Sequence, residues 1–123
     1  AFNEVLVPVA ERFQPQLILV SAGFDPHWAD SIASMQVSVT GFAQIVAVLR
    51  KLALELCQGR LVFTLEGGYN LQVAASSVKA TFDVLLDNPA IIDPLGKSPS
   101  GRKPSGFDEH IEKIKKIHHL PKC

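Results

Sequence analysis

Cysteine is scarce in this chain: Cys57 and Cys123 are the only two among 123 residues. Two cysteines so far apart make neither a metal-ligand spacing nor a disulfide framework. A reducing compartment is the default, the cytoplasm in the first instance. No address is legible that excludes an organelle or the nucleus. Excess charge is also missing, since 12 Lys plus Arg balance 12 Asp plus Glu. Bulk electrostatics therefore gives no grip on nucleic acid. No apolar run approaches the roughly 18 residues that a membrane helix needs. Neither nucleic acid nor a membrane is an expected partner. There is no internal repeat. Position 1 is Ala rather than Met, and the chain opens within what reads as a helix, not a basic-then-apolar leader. The expectation is a piece of a longer polypeptide.

What is present is apolar content. At 47% hydrophobic, the chain fits one globular unit able to bury a modest core. Phe2, Val5, Leu6, Val9 and Phe13 recur at helical spacing. Pro8 falls inside that pattern, so the helix is kinked there or begins near it. A first strand is expected over residues 17–21. Almost every residue in it is apolar, the pattern of a strand buried on both faces of a parallel sheet. Residues 25–39 form a long polar connection. Thr40 is a plausible N-cap for a helix whose stripe is Phe42, Ile45, Val46, Leu49, Leu52, Ala53 and Leu56. Cys57 lies in that pattern and reads as a small buried hydrophobe. Gly59 is the expected stop.

A second strand follows over 60–65. Asn70 can cap the next helix, with Leu71, Ala74, Ala75, Val78, Phe82 and Leu85 as its buried face and Asn88-Pro89 as its end. Strand, helix, strand of this length implies a right-handed parallel crossover between neighbouring strands. Residues 89–106 shift to Pro, Gly, Ser and Lys and read as a linker or tail. Ser105 is a candidate cap for a short final helix within 107–123. That helix carries Ile111, Ile114 and Ile117 on one face and Lys113, Lys115 and Lys116 around them. The lysines read as a solvated face, with an anionic partner as the alternative.

Both strands end in glycine-containing turns that open at one sheet edge, where α/β proteins bind ligands. The first turn is Ser21-Ala22-Gly23-Phe24-Asp25, the second Glu66-Gly67-Gly68-Tyr69-Asn70. Asp25 at a strand end can ligate a metal or act as a base, and it can equally cap a turn beside Pro26. His27 completes an Asp-x-His pattern, but Pro26 interrupts strand geometry, so a loop histidine is the competing reading. Asp30 can support the site through backbone hydrogen bonds or simply cap. Trp28 and Met35 either line a channel or anchor the loop. Gly67 and Gly68 let a ligand approach the backbone, or serve only a tight turn. They are not a phosphate loop, because the wider glycine spacing and the Lys are absent. Tyr69, the sole tyrosine, can donate a hydrogen bond to an oxygen that gains charge, or can pack with its hydroxyl satisfied. Glu66 is given no catalytic role. His110 and the pair His118-His119 lie in the polar C-terminal region and read as inert.

Together the two turns resemble the zinc-dependent histone deacetylase family, which includes acetylpolyamine amidohydrolases and acetoin-utilisation proteins. Glu66 before the glycine pair, and the segment from Pro26 to Asp30, resemble its class II-like branch. The resemblance spans roughly residues 2–88 and implies an α/β chain, part of an arginase/deacetylase-like three-layer fold with a central parallel sheet. Residues 1–88 would be the C-terminal portion of the catalytic domain. It implies that Asp25 is one of three ligands of a Zn²⁺ ion, and that Tyr69 polarises the acetyl carbonyl. It also implies that Gly67 and Gly68 border the acyl-binding channel. The substrate would be an acetylated lysine or acetylpolyamine, attacked by zinc-activated water.

The family's other two ligands and its tandem histidine base belong to earlier segments that this chain does not contain, and His118-His119 does not replace them. His27 does not inherit a ligand role. Catalytic zinc needs three protein ligands plus water, so the 123 residues alone are expected to bind zinc poorly and to be inactive without the remainder of the catalytic domain. A two-strand remnant would also expose a sheet edge. Two other readings compete: a truncated, non-catalytic interaction module, and a ureohydrolase-like metal hydrolase whose Asp- and His-rich motifs are not found here.

Overall fold

The structure, a computed structural model, describes residues 1–101 and 104–120. Cys123 lies outside the described residues. The chain opens with a π-helical segment, Phe2–Leu6, that runs into helix α1, Val7–Phe13. Pro8 sits in the first turn of α1, where a missing N–H costs no intrahelical bond. The wider π turns therefore end where the proline begins a regular helix. Gln14, in the left-handed conformation, closes α1.

Strand β1, Ile18–Ala22, pairs in parallel with β2, Leu61–Leu65, in the register Ile18↔Leu61 to Ala22↔Leu65. The strands are sheet neighbours, as the crossover argument requires. Between them runs helix α2, Val39–Cys57. Its N-cap is Ser38 rather than Thr40: the Ser38 hydroxyl accepts from Gly41 N at 3.1 Å, and the Thr40 hydroxyl lies 2.9 Å from that of Ser38. Gln58 and Gly59, both at positive φ, end α2. Cys57 is buried, with its thiol 3.3 Å from Arg60 O.

The expectation that β1 is buried on both faces does not hold. Ile18, Val20 and Ala22 lie on the side of α2 and helix α3, Leu71–Leu85, but Leu19 on the opposite side is 71% exposed. Side chains alternate across a strand, and only one face of this two-stranded sheet carries helices. The apolar outer residues Leu19 and Val62 are both exposed, Val62 to about half of its surface.

The face assigned to α3 is also rotated. Leu71 and Phe82 are exposed, and the buried set is Val73, Ser77, Ala80, Thr81 and Asp83. Ala80 meets Val39 and Ala43 of α2 in one core cluster. Small side chains on this stripe allow the two helices to approach closely. The larger Val78, Phe82 and Leu85 instead line an open groove with Leu61 and Phe63 of β2. A second cluster joins Phe24, Phe42 and Val73, with the two phenyl rings edge-to-face at 5.2 Å.

Residues 89–106 contain no helix or strand among those described. Helix α4, Phe107–Ile117, is capped by Gly106 at φ 74° rather than by Ser105. It packs on the opening π-helical segment, and Arg12 Nη1 donates to His118 O at 2.6 Å. Ile111 is buried there, whereas Ile117 is exposed. Lys115 is not on a solvated face; it is buried, with its ammonium 3.1 Å from Glu112 Oε1.

Candidate functional site

The carboxyl ends of β1 and β2 are stitched together beyond the last ladder pair. Glu66 N donates to Ala22 O at 3.0 Å, and Phe24 N donates to Gly67 O at 2.9 Å. This brings Gly23-Phe24-Asp25 alongside Glu66-Gly67-Gly68. Ser21 Oγ and Glu66 Oε1 lie 3.4 Å apart on the exposed side.

The Asp25 carboxylate lies in a cradle made by two glycines. A Cβ added at Gly23 would stand 2.8 Å from Asp25 Oδ1, and one added at Gly67 would overlap the same oxygen. Any side chain at either position would push the carboxylate away. Gly68 is constrained differently. Its φ of 139° is open only to glycine in practice, whereas an added Cβ would only touch Ala74 and Phe24 at 3.4 Å. The glycine pair thus admits the Asp25 side chain on one side and turns the chain into α3 on the other.

Tyr69 follows directly and is 66% exposed. Its backbone is anchored by Asp30, whose Oδ2 accepts from Tyr69 N at 2.8 Å and from Asn70 N at 2.9 Å, while Oδ1 accepts from Ile32 N at 3.1 Å. The Asn70 N–H is the chief reason that the Asp30 carboxyl is held below the ordinary carboxylate value; burial opposes it, and the Ile32, Tyr69 and Ser31 N–H groups assist. Asn70 is the N-cap of α3, as its position predicts, with Oδ1 accepting from Gln72 N and Val73 N. Asn70 Nδ2 donates back to Ala29 O at 3.1 Å. The loop that carries Asp25 and the turn that carries Tyr69 are therefore one hydrogen-bonded unit.

His27 takes a different place. It is fully buried beneath the loop, its ring between Trp28 at 5.5 Å and Phe42 at 6.4 Å. Nδ1 accepts from Ala29 N at 3.0 Å, which leaves the proton of the neutral ring on Nε2. Nε2 has no partner among the described residues. Burial holds its pKa below the ordinary value, against the opposing pull of Asp93 and Asp30. Trp28 anchors the loop through Nε1, which donates to Gly96 O at 3.0 Å. Met35 is largely exposed. His110 bonds Gly106 O within its own helix end, and His118 lines a groove with Phe2, Val5 and Val9 of the N-terminal helix. Those histidines belong to the α4 packing and not to the two turns.

Residues 1–85 match the family model described as "Histone deacetylase domain". This chain belongs to the histone deacetylase family. Histone deacetylase 10, chloroplastic, of Oryza sativa subsp. japonica is 44% identical over 126 residues, a match covering 98% of this chain and 28% of the relative. Polyamine deacetylase HDAC10 of Homo sapiens is 43% identical over 90 residues, covering 73% of this chain and 13% of that protein. Among solved structures, the HDA15 HD domain superposes with a TM-score of 0.74 at 28% identity, covering 95% of this chain and 30% of that one. The histone deacetylase Clr3 superposes with a TM-score of 0.73 at 30% identity, covering 95% and 18%. The fold is accordingly α/β, part of the arginase- and deacetylase-like architecture. The chain spans less than a third of the relatives and structures it matches.

Among the described residues no group of three or more His, Cys, Asp or Glu side chains could hold a metal ion. At this edge of the sheet the glycine cradle holds one carboxylate, that of Asp25. No helix among the described residues is long and apolar enough to cross a membrane. The parts that Asp93 and Gly96 play behind Trp28 are not evident from the sequence pattern alone. Asp93-Pro94-Leu95-Gly96 is nonetheless a recognisable turn signature.

Proposed function

We propose that residues 1–88 are the C-terminal portion of the catalytic domain of a zinc-dependent deacetylase, followed by a connecting segment over 89–106 and a terminal helix within 107–123. The reaction is hydrolysis of an acetyl amide, in which water adds to the carbonyl, the C–N bond breaks, and acetate and a free amine leave. Acetylated lysine and acetylated polyamines are the proposed substrates. The names of the relatives, which include histone and polyamine deacetylases, support that pair. Nucleic acid and membrane have no part in this reading; the cytoplasm is the default compartment, with an organelle or the nucleus as the alternatives, and two relatives carry the word chloroplastic in their names.

The observation that carries the proposal is the glycine cradle holding Asp25 beside the turn that presents Tyr69. Asp25 would supply one zinc ligand, and the remainder of the domain would supply the others. Bound zinc provides a Lewis acid and a water of lowered pKa. Tyr69 would donate its phenolic hydrogen to the acyl oxygen as negative charge builds there, an interaction worth about 3 kcal/mol in comparable oxyanion sites. Gly67 and Gly68 would border the acyl group through the backbone of the turn between Asp25 and Tyr69. In the complete polypeptide, acetate release from an acetyl-lysine peptide and from an N-acetylpolyamine should be abolished by a chelator and restored by zinc. Zinc-loaded protein that releases acetate from neither would refute the proposal.

A second reading rests on the exposed outer face of the sheet at Leu19 and Val62. A non-catalytic module would cover that face with another chain. It requires a defined oligomer of the 123-residue chain without bound zinc, and aggregation or disorder of that chain would remove it.

A further inference from the structure

Residues 93–98 lie outside the 1–85 family match, yet they hold the loop that carries Asp25 and Asp30 from behind. The Asp93 carboxylate is used in full. Oδ2 accepts from Thr40 N at 3.1 Å and Thr40 Oγ1 at 3.3 Å, and Oδ1 accepts from Leu95 N at 3.2 Å and Gly96 N at 2.8 Å. The first pair fixes the segment to the start of α2, and the second pair folds it into a turn. That turn, with Gly96 at φ 70°, presents Gly96 O to Trp28 Nε1 at 3.0 Å. Leu95 inserts against the Phe24–Phe42–Val73 cluster beneath the site. Ser98 Oγ donates to Gln36 Oε1 at 2.6 Å near the far end of the same loop. The loop is thus clamped between the Tyr69 turn in front, through Asp30, and this brace behind.

We propose that Asp93, Gly96 and Trp28 are positioning residues that brace the loop so that Asp30 holds Tyr69 in its working orientation. The inference rests on the deacetylase reading for its catalytic half only. Tyr69 is reached through a chain of contacts: Gly96 to Trp28, along the loop to Asp30, and from Asp30 to the Tyr69 amide. Misplacing a group by a fraction of an ångström at the far end of such a chain weakens orientation without removing any chemistry.

The test uses the complete polypeptide with three substitutions. Gly96→Ala twists the brace, since an added Cβ meets no atom within 4 Å and only the backbone conformation is strained. Gly96→Asn is its conservative rescue, because Asn tolerates the left-handed region. Trp28→Phe removes the donated N–H and serves if Gly96→Ala fails to fold. Amide hydrogen exchange at Tyr69 and Asn70 should accelerate several-fold in Gly96→Ala and Trp28→Phe and recover in Gly96→Asn. The value of kcat should fall about tenfold, with KM within about twofold and zinc content unchanged. Unaltered exchange at those two amides would overturn the brace, and accelerated exchange with unaltered kcat would overturn its positioning role. If the parent polypeptide hydrolyses no acetyl amide, the deacetylase reading fails by itself, and the exchange measurement still decides whether the brace acts on the Tyr69 turn.

Discussion

The Asp30 carboxylate lies 2.8 Å from the backbone nitrogen of Tyr69, across 39 residues of chain. With the 2.9 Å bond to Asn70 N, it ties the loop after β1 to the turn after β2. An Asn side chain at position 30 would offer one acceptor where the carboxylate offers two, and a donor facing N–H groups. Asp30→Asn should therefore speed amide exchange at Tyr69 and Asn70, and should lower deacetylation by the complete polypeptide about tenfold. Exchange unchanged at both amides would contradict the proposed anchoring.

Gly67 and Gly68 should fail for different reasons. At Gly67 the new Cβ collides with the Asp25 carboxylate, so Gly67→Ala in the complete polypeptide should weaken zinc binding by about 10- to 100-fold, as read by metal titration. At Gly68 the backbone itself is at issue. With φ at 139°, Gly68→Ala should cost about 2 kcal/mol in denaturant unfolding. Equal effects of both substitutions on stability, with zinc affinity unchanged, would argue against the cradle.

Ala80 marks the true inner face of α3. It is buried against Val39 and Ala43, so Ala80→Leu should wedge α2 from α3 and cost about 2 kcal/mol in urea unfolding. A neutral outcome would mean that the helix contact is loose.

Much of the framework is legible in the residues themselves. The parallel strand pair follows from two apolar runs separated by a helical stripe. The Asn70 cap follows from its place before an apolar period, and the convergence of the two turns follows from the crossover. The α3 face was not legible, because apolar residues occupy both sides of that helix. The small side chains at Ser77 and Ala80, which permit close packing on α2, score weakly beside Phe82 and Leu85. The apolar composition of β1 reports what the strand can bury, not what covers it, and Leu19 is exposed. Thr40 and Ser38 are both competent caps, and only the backbone conformation of Ser38 selects it. The brace at Asp93 was hidden by composition: Pro, Gly, Ser and Lys together read as a linker, while one Asp beside a Pro-Leu-Gly turn does the anchoring.

Asp93 gives the fold an acid-sensitive contact. Burial pushes its pKa up, but the N–H groups of Thr40, Gly96 and Leu95 and the Thr40 hydroxyl outweigh it, and the carboxyl rests below its ordinary value of 3.8. The unfolded chain then binds the proton more tightly than the folded one, so stability rises with pH in that range. The contribution is present above the ordinary carboxylate pKa and is lost as pH falls through the lowered value. The stability gap between wild type and Asp93→Asn should therefore narrow from neutral pH to about pH 3, as followed by urea unfolding. A gap independent of pH would show that the ionised carboxylate is not what Thr40 and Gly96 bind.

The most direct test compares Asp25→Asn with Tyr69→Phe in the complete polypeptide, measuring zinc per protein and deacetylation rate on the same samples. Asp25→Asn should lose zinc and activity together. Tyr69→Phe should keep its zinc while kcat falls by about 100- to 1,000-fold. Full zinc occupancy in Asp25→Asn, or undiminished turnover in Tyr69→Phe, would contradict the assignment of these two turns to one deacetylase centre.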